Sequence, residues 1–242
     1  MLIKVALNGG RAGAPSTPRE IADDVAACAA VGATVFHVHP RSAGGAESLL
    51  PADADRVVAA IRARLPRAII GLTTGAWILP DVPRRLDAIA GWRELPDFAS
   101  VNFDEDGCEA VARLLVERGV GVEAGVLDRE STLRFLAAGI PAIRVLIELQ
   151  EQQLDDALRT TADILQALGD HGAPRLLHGH GAVAWDLLEE AARRGYDSRI
   201  GLEDVTTLQD GTPATNAELF AAAIRRAKVA LSLEHDQRSD PQ

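Results

Sequence analysis

Short apolar segments alternate with longer amphipathic segments along almost the whole chain. The short segments are rich in β-branched residues, as buried parallel strands are, and the longer ones repeat apolar residues every three or four positions, as helices do. The predicted strands are 2–8, 34–39, 68–73, 98–102, 120–126, 142–148, 175–180 and 199–203. The predicted helices are 18–31, 52–65, 83–90, 109–118, 129–138, 155–168, 183–194 and 216–228. The run Thr17-Pro18-Arg19-Glu20 has the cap, early proline and acidic residue typical of a helix start.

Eight β–α units in about 230 residues predict a (β/α)8 TIM barrel. The alternative, a doubly wound open sheet, usually has fewer strands, and no Gly-x-Gly-x-x-Gly follows the first strand here. No linker or change of composition divides the chain, so we predict one domain over residues 1–233. The polar segment 234–242 is predicted to be a disordered tail.

Composition and charge narrow the classes of partner. The chain is 47% hydrophobic and 25% charged, as soluble globular domains are, and its net charge of −10 argues against nucleic acid as the main partner. No apolar run approaches the roughly 20 residues of a membrane span, and the first residues fit a strand rather than a secretory signal. The two cysteines do not form a disulfide framework, so we expect a cytoplasmic protein.

Polar residues follow or end most of the predicted strands. Active sites of TIM barrels lie where the strands end, and burying polar groups without partners costs a few kcal/mol each. Their shared position therefore indicates an enzyme. These residues are Asn8, His37, His39, Thr73, Thr74, Asn102, Glu123, Glu148, His178, His180, Glu203 and Asp204.

The segment His37-Val38-His39 predicts half of a metal site. Alternate residues of a strand share a face, so the two imidazoles lie side by side. In a closed barrel the eighth strand neighbours the first, which neighbours the second, so Glu203 lies one strand away from the histidine pair. Two imidazoles and a carboxylate form an open divalent-metal site, for which zinc is the first choice. The alternative is a structural histidine pair that is hydrogen-bonded at the barrel mouth.

Other strand-end residues allow more than one interpretation. His178 and His180 form either a second metal site or a substrate contact with a hydrogen-bonded neighbour. Asp204 is a candidate general base. Arg199 either pairs with Asp204 or holds a substrate carboxylate. The alternative is that these are ordinary charges at the rim of the barrel.

The segment Gly71-Leu72-Thr73-Thr74-Gly75 has two interpretations. Its hydroxyls and amides can bind a carboxylate or phosphate, or they can cap only their own turn. Three arginines near the same rim could attract an anionic substrate, although each taken alone is more typical of a solvated surface charge. They are Arg11, Arg41 and Arg84.

Taken together, these motifs resemble the β-keto acid cleavage enzymes, the family typified by 3-keto-5-aminohexanoate cleavage enzyme. The resemblance covers most of the chain, and the His-x-His and Arg-x-Gly-x-Glu-Asp elements are its most specific parts. The matching segments are Asn8-Gly9-Gly10, Ser16-Thr17-Pro18-Arg19-Glu20, His37-Val38-His39-Pro40-Arg41, Thr73-Thr74-Gly75, Arg199-Ile200-Gly201-Leu202-Glu203-Asp204 and Thr215-Asn216-Ala217-Glu218-Leu219.

The resemblance implies a zinc enzyme that combines a β-keto acid with acetyl-CoA to give acetoacetate and a new acyl-CoA. Zinc would be held by His37, His39 and Glu203 and would polarise the keto group. Asp204 would remove the proton between the carbonyls, assisted by Arg199. Thr73, Thr74 and Glu123 match positions that line the substrate site in relatives. We add the strand-end residues Asn8 and Asn102 as candidate substrate-binding residues. We also expect a homo-oligomer.

Three features depart from the family pattern. Ser42 stands where relatives often have aspartate, and no glutamate follows the first strand, which favours a simple or acidic keto acid over an amino-substituted one. The chain is also shorter than most relatives, with trimmed loops. The alternative functions are a metal-dependent carbon–carbon lyase or hydrolase that acts without CoA, and a non-catalytic barrel that binds a metabolite.

Overall fold

A computed structural model describes residues 1–11 and 13–238 and confirms the (β/α)8 TIM barrel. The strands are β1 Ile3–Ala6, β2 Val35–Val38, β3 Ile69–Thr73, β4 Phe98–Asn102, β5 Gly121–Val126, β6 Ala142–Leu149, β7 Arg175–Gly179 and β8 Ser198–Ile200. The helices are α1 Pro18–Ala30, α2 Pro51–Arg64, α3 Val82–Ala90, α4 Cys108–Glu117, α5 Arg129–Ala138, α6 Leu154–Leu168, α7 Ala184–Arg193 and α8 Asn216–Arg238. No helix among the described residues combines the length and apolar composition that crossing a bilayer requires.

The strands are all parallel and follow one another around the barrel in chain order. Strand β1 pairs with β2 on one side and with β8 on the other. The seam between β7 and β8 is joined at Asp197, whose carbonyl accepts from the Leu177 amide at 3.0 Å and whose amide donates to the Arg175 carbonyl at 2.9 Å. All eight carboxyl ends therefore meet on one face, where the ends of β2 and β8 lie one strand apart.

Helices α1 and α8 begin on this face with matching capping boxes. The Thr17 hydroxyl accepts from the Glu20 amide at 3.2 Å, and the Glu20 carboxylate accepts from the Thr17 amide at 3.0 Å, as the sequence predicted. Thr215 and Glu218 form the same reciprocal pair at the start of α8. Each box satisfies backbone groups that a helix start leaves free and so fixes where the helix begins.

The inside of the barrel holds a fully buried ion pair between Lys4 on β1 and Glu123 on β5. Arg144 on β6 adds a second cation, 3.2 Å from the Glu123 carboxylate. Burial lowers the pKa of Lys4, although the nearby Glu123 charge raises it. Burial would raise the pKa of Glu123, but Lys4 and Arg144 outweigh it and the pKa falls. Glu123, which we expected to bind substrate, is thus held by charged partners on β1, across the barrel, and on the neighbouring strand β6.

Replacing Lys4 by methionine is expected to lower the free energy of unfolding by about 3–5 kcal/mol, because it leaves Glu123 short of one buried counter-charge. Guanidinium unfolding measures this as a lower midpoint. The matched control is Lys228→Met on the exposed side of α8, which should stay within about 0.5 kcal/mol of the parent chain. Equal losses in the two variants would contradict a stabilising role for the buried pair.

Two predicted boundaries differ from the structure by three residues or more. Strand β8 ends at Ile200, so the prediction of a strand over 199–203 is wrong at its end, and Glu203 and Asp204 lie on the following turn. A side-chain carbon on Gly201 would overlap the Ala6 carbonyl, and the Gly201 carbonyl accepts from the Asp204 amide at 2.9 Å, so the chain turns here across β1. Helix α8 runs past position 234 to Arg238, and residues 239–242 of the expected tail lie outside the described residues.

Candidate active site

The end of β2 and the turn after β8 bring His37, His39 and Glu203 together at the barrel mouth. The two Nε2 atoms lie 2.9 Å apart, and Oε2 of Glu203 lies 3.7 Å from His37 Nε2 and 3.5 Å from His39 Nε2. Two ligands of a tetrahedral zinc ion, each about 2.0–2.1 Å from it, are separated by about 3.4 Å. The three atoms are therefore spaced as the ligands of one divalent cation.

The surroundings of these three side chains also fit a cation. Both histidines are buried, and within the described residues Glu203 Oε2 has no hydrogen-bond partner. Burial lowers the pKa of His37 to about 3. Burial acts in the same direction on His39, but the Glu203 and Glu47 carboxylates outweigh it and raise its pKa to about 9. Buried acceptors without partners are costly, and a bound cation would satisfy Glu203.

The Asn8-Gly9-Gly10 turn positions these ligands from two directions. Asn8 accepts from the His39 amide at 2.9 Å and donates to the His39 carbonyl at 2.9 Å, so it clamps the end of β2. Gly9 has a φ of +48°, which favours glycine, and a Cβ on it would lie 2.5 Å from Glu203 Cγ. Asn8, expected to bind substrate, therefore contacts the backbone of a candidate metal ligand.

Arg199 joins Glu203 to Asp204 beneath the mouth of the barrel. Its Nη2 lies 2.9 Å from Glu203 Oε1 and 2.6 Å from Asp204 Oδ1. Burial would raise the pKa of Asp204, but the Arg199 charge outweighs it and holds the pKa below its usual value. Of the two roles considered for Arg199, the structure has it paired with Asp204. Asp204 is thereby kept as a carboxylate, and its Oδ2 has no hydrogen-bond partner in the described part of the chain.

A second pair of histidines lies on the other side of Asp204. Nδ1 of His180 is 3.3 Å and Nδ1 of His178 is 3.8 Å from Asp204 Oδ1. Glu148, from the end of β6, contacts His180 at 2.9 Å. Asp204 is thus shared between the Arg199 side of the site and this second group.

A cavity of about 580 Å³ opens above both groups, a size that suits small-molecule ligands. Its lining residues are Gly9, Gly10, Arg11, His39, Glu47, Trp77, Asn102, Asp104, Glu105, Leu127, Glu148, Gln150, His180 and Glu203. Arg11 donates to the backbone carbonyls of Glu203 at 2.8 Å and Asp204 at 3.1 Å. Burial raises the pKa of Glu105 to about 7.

Of the expected substrate-binding residues, Asn102 lines the cavity, whereas Thr73 and Thr74 are buried within their own turn. Thr74 donates to the Ser100 carbonyl at 2.7 Å, and Thr73 accepts from the Gly75 amide at 3.2 Å. Of the two interpretations of this turn, local capping therefore accounts for both hydroxyls.

A family model for beta-keto acid cleavage enzymes matches residues 1–232, nearly the whole chain. The chain belongs to the β-keto acid cleavage enzyme family. Comparison with curated proteins gives no match.

Solved structures of other proteins share the fold of this family member. ObcA in ternary complex with a C4-CoA adduct and oxalate superposes with a TM-score of 0.66 at 16% identity, over 92% of this chain and 66% of that one. ObcA in binary complex with oxaloacetate gives 0.65 at 16% identity with the same coverage. This chain therefore spans just under two thirds of ObcA. A type I 3-dehydroquinate dehydratase from Clostridium difficile gives 0.65 at 11% identity, over 98% of this chain and 93% of that one.

Glu47, which no sequence pattern singled out, contacts one of the candidate metal ligands of this family member. Its Oε1 contacts His39 Nδ1, and its Oε2 accepts from Trp77 Nε1 at 3.1 Å. A carboxylate on the far nitrogen of a metal-binding imidazole fixes the ring and leaves the other nitrogen free to coordinate. Glu47 lies in the loop after β2, where no helix or strand period links it to His39.

Replacing Glu47 by glutamine is expected to weaken metal binding about 10–100-fold, because the amide is a poorer partner for the His39 ring. Competition with a chromophoric chelator measures the affinity. Glu105→Gln is the matched control, since Glu105 lines the same cavity and its hydrogen bonds go to Ala76 and Asn102. A similar loss of affinity in both variants would show that cavity charge, and not the His39 contact, sets the affinity.

Proposed function

We propose that the chain is a zinc-dependent acyltransferase that condenses a β-keto acid with acetyl-CoA and releases acetoacetate and a new acyl-CoA. The observation that carries the proposal is the buried, ionised Asp204, held by Arg199 beside the His37, His39 and Glu203 donor set. A base next to a cation site at the mouth of a barrel suits proton abstraction beside a carbonyl.

The donor set favours zinc, with His37 and His39 as nitrogen ligands and Glu203 as the oxygen ligand. When bound, the ion would supply Lewis-acid polarisation of the substrate carbonyl. Glu47 keeps the His39 ring oriented, Asn8 fixes the backbone of His39, and Arg199 holds the second oxygen of Glu203.

The protein's own contribution to the chemistry is proton removal. Hydrogens between two carbonyl groups are acidic for C–H bonds, so a carboxylate can act as the base. Oδ2 of Asp204, to which no described residue donates, can take that proton, while Oδ1 stays bound to Arg199. Burial would lower the pKa of Arg199, but the neighbouring carboxylates outweigh it and raise the pKa, so Arg199 stays cationic while Asp204 gains and loses its proton.

The transfer balances as an exchange of acyl groups. The central carbon of the keto acid bonds to the acetyl carbon, and the thiolate of CoA leaves. The bond from the same carbon to the original acyl group then breaks, and the CoA thiolate takes that group. Asp204 accepts the proton at the start and returns it to acetoacetate. The ObcA complexes, with oxaloacetate in one and a C4-CoA adduct in the other, support a keto acid and CoA as the reactants.

Arg11 is the cationic side chain at the mouth that suits the carboxylate of the keto acid. It lines the cavity, while its bonds to the Glu203 and Asp204 carbonyls keep it beside the candidate metal ligands. A planar guanidinium binds a carboxylate through two parallel hydrogen bonds, which would orient the keto group as well as hold it. The cytoplasmic location and the homo-oligomer remain predictions.

The test is product analysis with a panel of β-keto acids, simple, acidic and amino-substituted, each with and without acetyl-CoA. We expect acetoacetate only when both substrates are present, with its acetyl carbons derived from labelled acetyl-CoA. Asp204→Asn, purified in the same way, controls for contaminating activity. Consumption of the keto acid at an equal rate without acetyl-CoA would contradict the proposal and favour a lyase or hydrolase on the same site.

A further inference from the structure

Three side chains outside the proposed zinc site have the arrangement of a second chelate. Glu148 is the penultimate residue of β6, His178 lies on β7, and His180 follows β7, so neighbouring strands bring the three side chains together. Glu148 lies 2.9 Å from His180 Nε2 and 3.6 Å from His178 Nε2. The His178 and His180 rings lie 5.1 Å apart with an interplanar angle of 76°, close to the 4.9 Å and 79° of the His37–His39 pair.

Within the described part of the chain, His178 is buried without hydrogen bonds. Its side chain is 1% exposed, and neither ring nitrogen has a partner among the described residues. Leaving a buried donor or acceptor unsatisfied costs about 1–3 kcal/mol, so such a ring needs an explanation. A cation on Nε2 would use its lone pair and leave the Nδ1 hydrogen directed at the Asp204 carboxylate, 3.8 Å away.

The surroundings of the group also suit a metal. Both histidines turn Nδ1 towards Asp204, and metal-binding histidines usually direct the non-coordinating nitrogen at a carboxylate or carbonyl. The positive charge of Arg199 is matched by its contacts with Glu203 and Asp204. Glu148 and His180 line the cavity, which gives a cation a path from solvent.

We propose that Glu148, His178 and His180 bind a second divalent cation, of the class that takes imidazole and carboxylate ligands, such as zinc or cobalt. Three protein ligands leave a coordination position open towards the cavity, where an anionic oxygen of a ligand or a water molecule can bind. The site does not depend on which reaction the protein performs. It also has no ligand in common with the His37, His39 and Glu203 set.

The experiment counts metal ions. The full chain is stripped with a chelator, reloaded with Zn²⁺ or Co²⁺, freed of excess ion and analysed by mass spectrometry for metal per chain, with Co²⁺ absorption as a second readout. We expect two ions per chain. Glu148→Gln, which keeps the size of the side chain, and His178→Ala should each bind one, and His37→Ala should also bind one. His37→Ala combined with Glu148→Gln should bind none.

His171→Ala is the control, because His171 packs against Phe135 away from both groups and should leave two ions bound. One ion in the wild-type chain that Glu148→Gln still binds, or two ions in Glu148→Gln, would overturn the second site. If instead the proposed zinc site is wrong, the wild-type chain and His37→Ala each bind one ion, and Glu148→Gln binds none. The two ideas are therefore tested separately.

Discussion

Asp204→Asn is expected to lower kcat by about 10²–10⁴-fold, the usual contribution of a positioned general base, while the metal at His37, His39 and Glu203 stays bound. Asparagine keeps the shape of aspartate and still accepts from Arg199, but its amide cannot take a proton at neutral pH. The substitution therefore removes the base without removing a ligand. A KM within a few-fold of the parent value would accompany the loss, since ground-state binding does not use the proton.

Turnover and metal content are to be measured on the same preparation of Asp204→Asn, with thermal unfolding as a check on the fold. Asp104→Asn is the matched control. Asp104 also lines the cavity, but the carboxylates that accept from Arg199 are those of Glu203 and Asp204. It should keep kcat within a few-fold. If Asp204→Asn keeps more than about a tenth of the parent kcat, the assigned base is wrong.

His37→Ala is expected to lose one bound metal ion and all measurable turnover together. It leaves His39 and Glu203 as two ligands of a site that needs three, and it opens a cavity beside a buried carboxylate. Metal analysis and turnover on one preparation provide the test. His171→Ala should keep both properties, because His171 lies outside both groups of candidate ligands. Full metal content in His37→Ala would refute the ligand assignment.

The part of this site that the sequence predicts best follows from strand geometry. His37 and His39 share a face because strand residues alternate, and Glu203 reaches them because the barrel closes β8 onto β1. Both arguments use only the period of a strand and the order of strands in a barrel. They hold although β8 ends three residues before Glu203, since the turn over Ala6 carries the carboxylate to the same place.

The remaining features depend on loops and long-range pairing that no sequence period encodes. Glu47 reaches His39 from a loop whose path is set by a bridge between Arg41 and Glu47. Lys4 and Glu123 are separated by more than 100 positions, so their pairing appears only once β1 and β5 face each other. The Thr74 hydroxyl could bind an anion or the backbone, and only the position of Ser100 on the next strand decides between them.

The proposed zinc ligands come from the second strand and from the turn after the eighth. His37 and His39 leave the ribosome while six strands are still to be made, whereas Glu203 is added only after all eight strands. A nascent chain can therefore offer two donors at most, and the full set exists only once the last strand has docked beside the first. Loading with metal would follow docking of the last strand, and the ion would then hold the first and last parts of the barrel together and resist their separation.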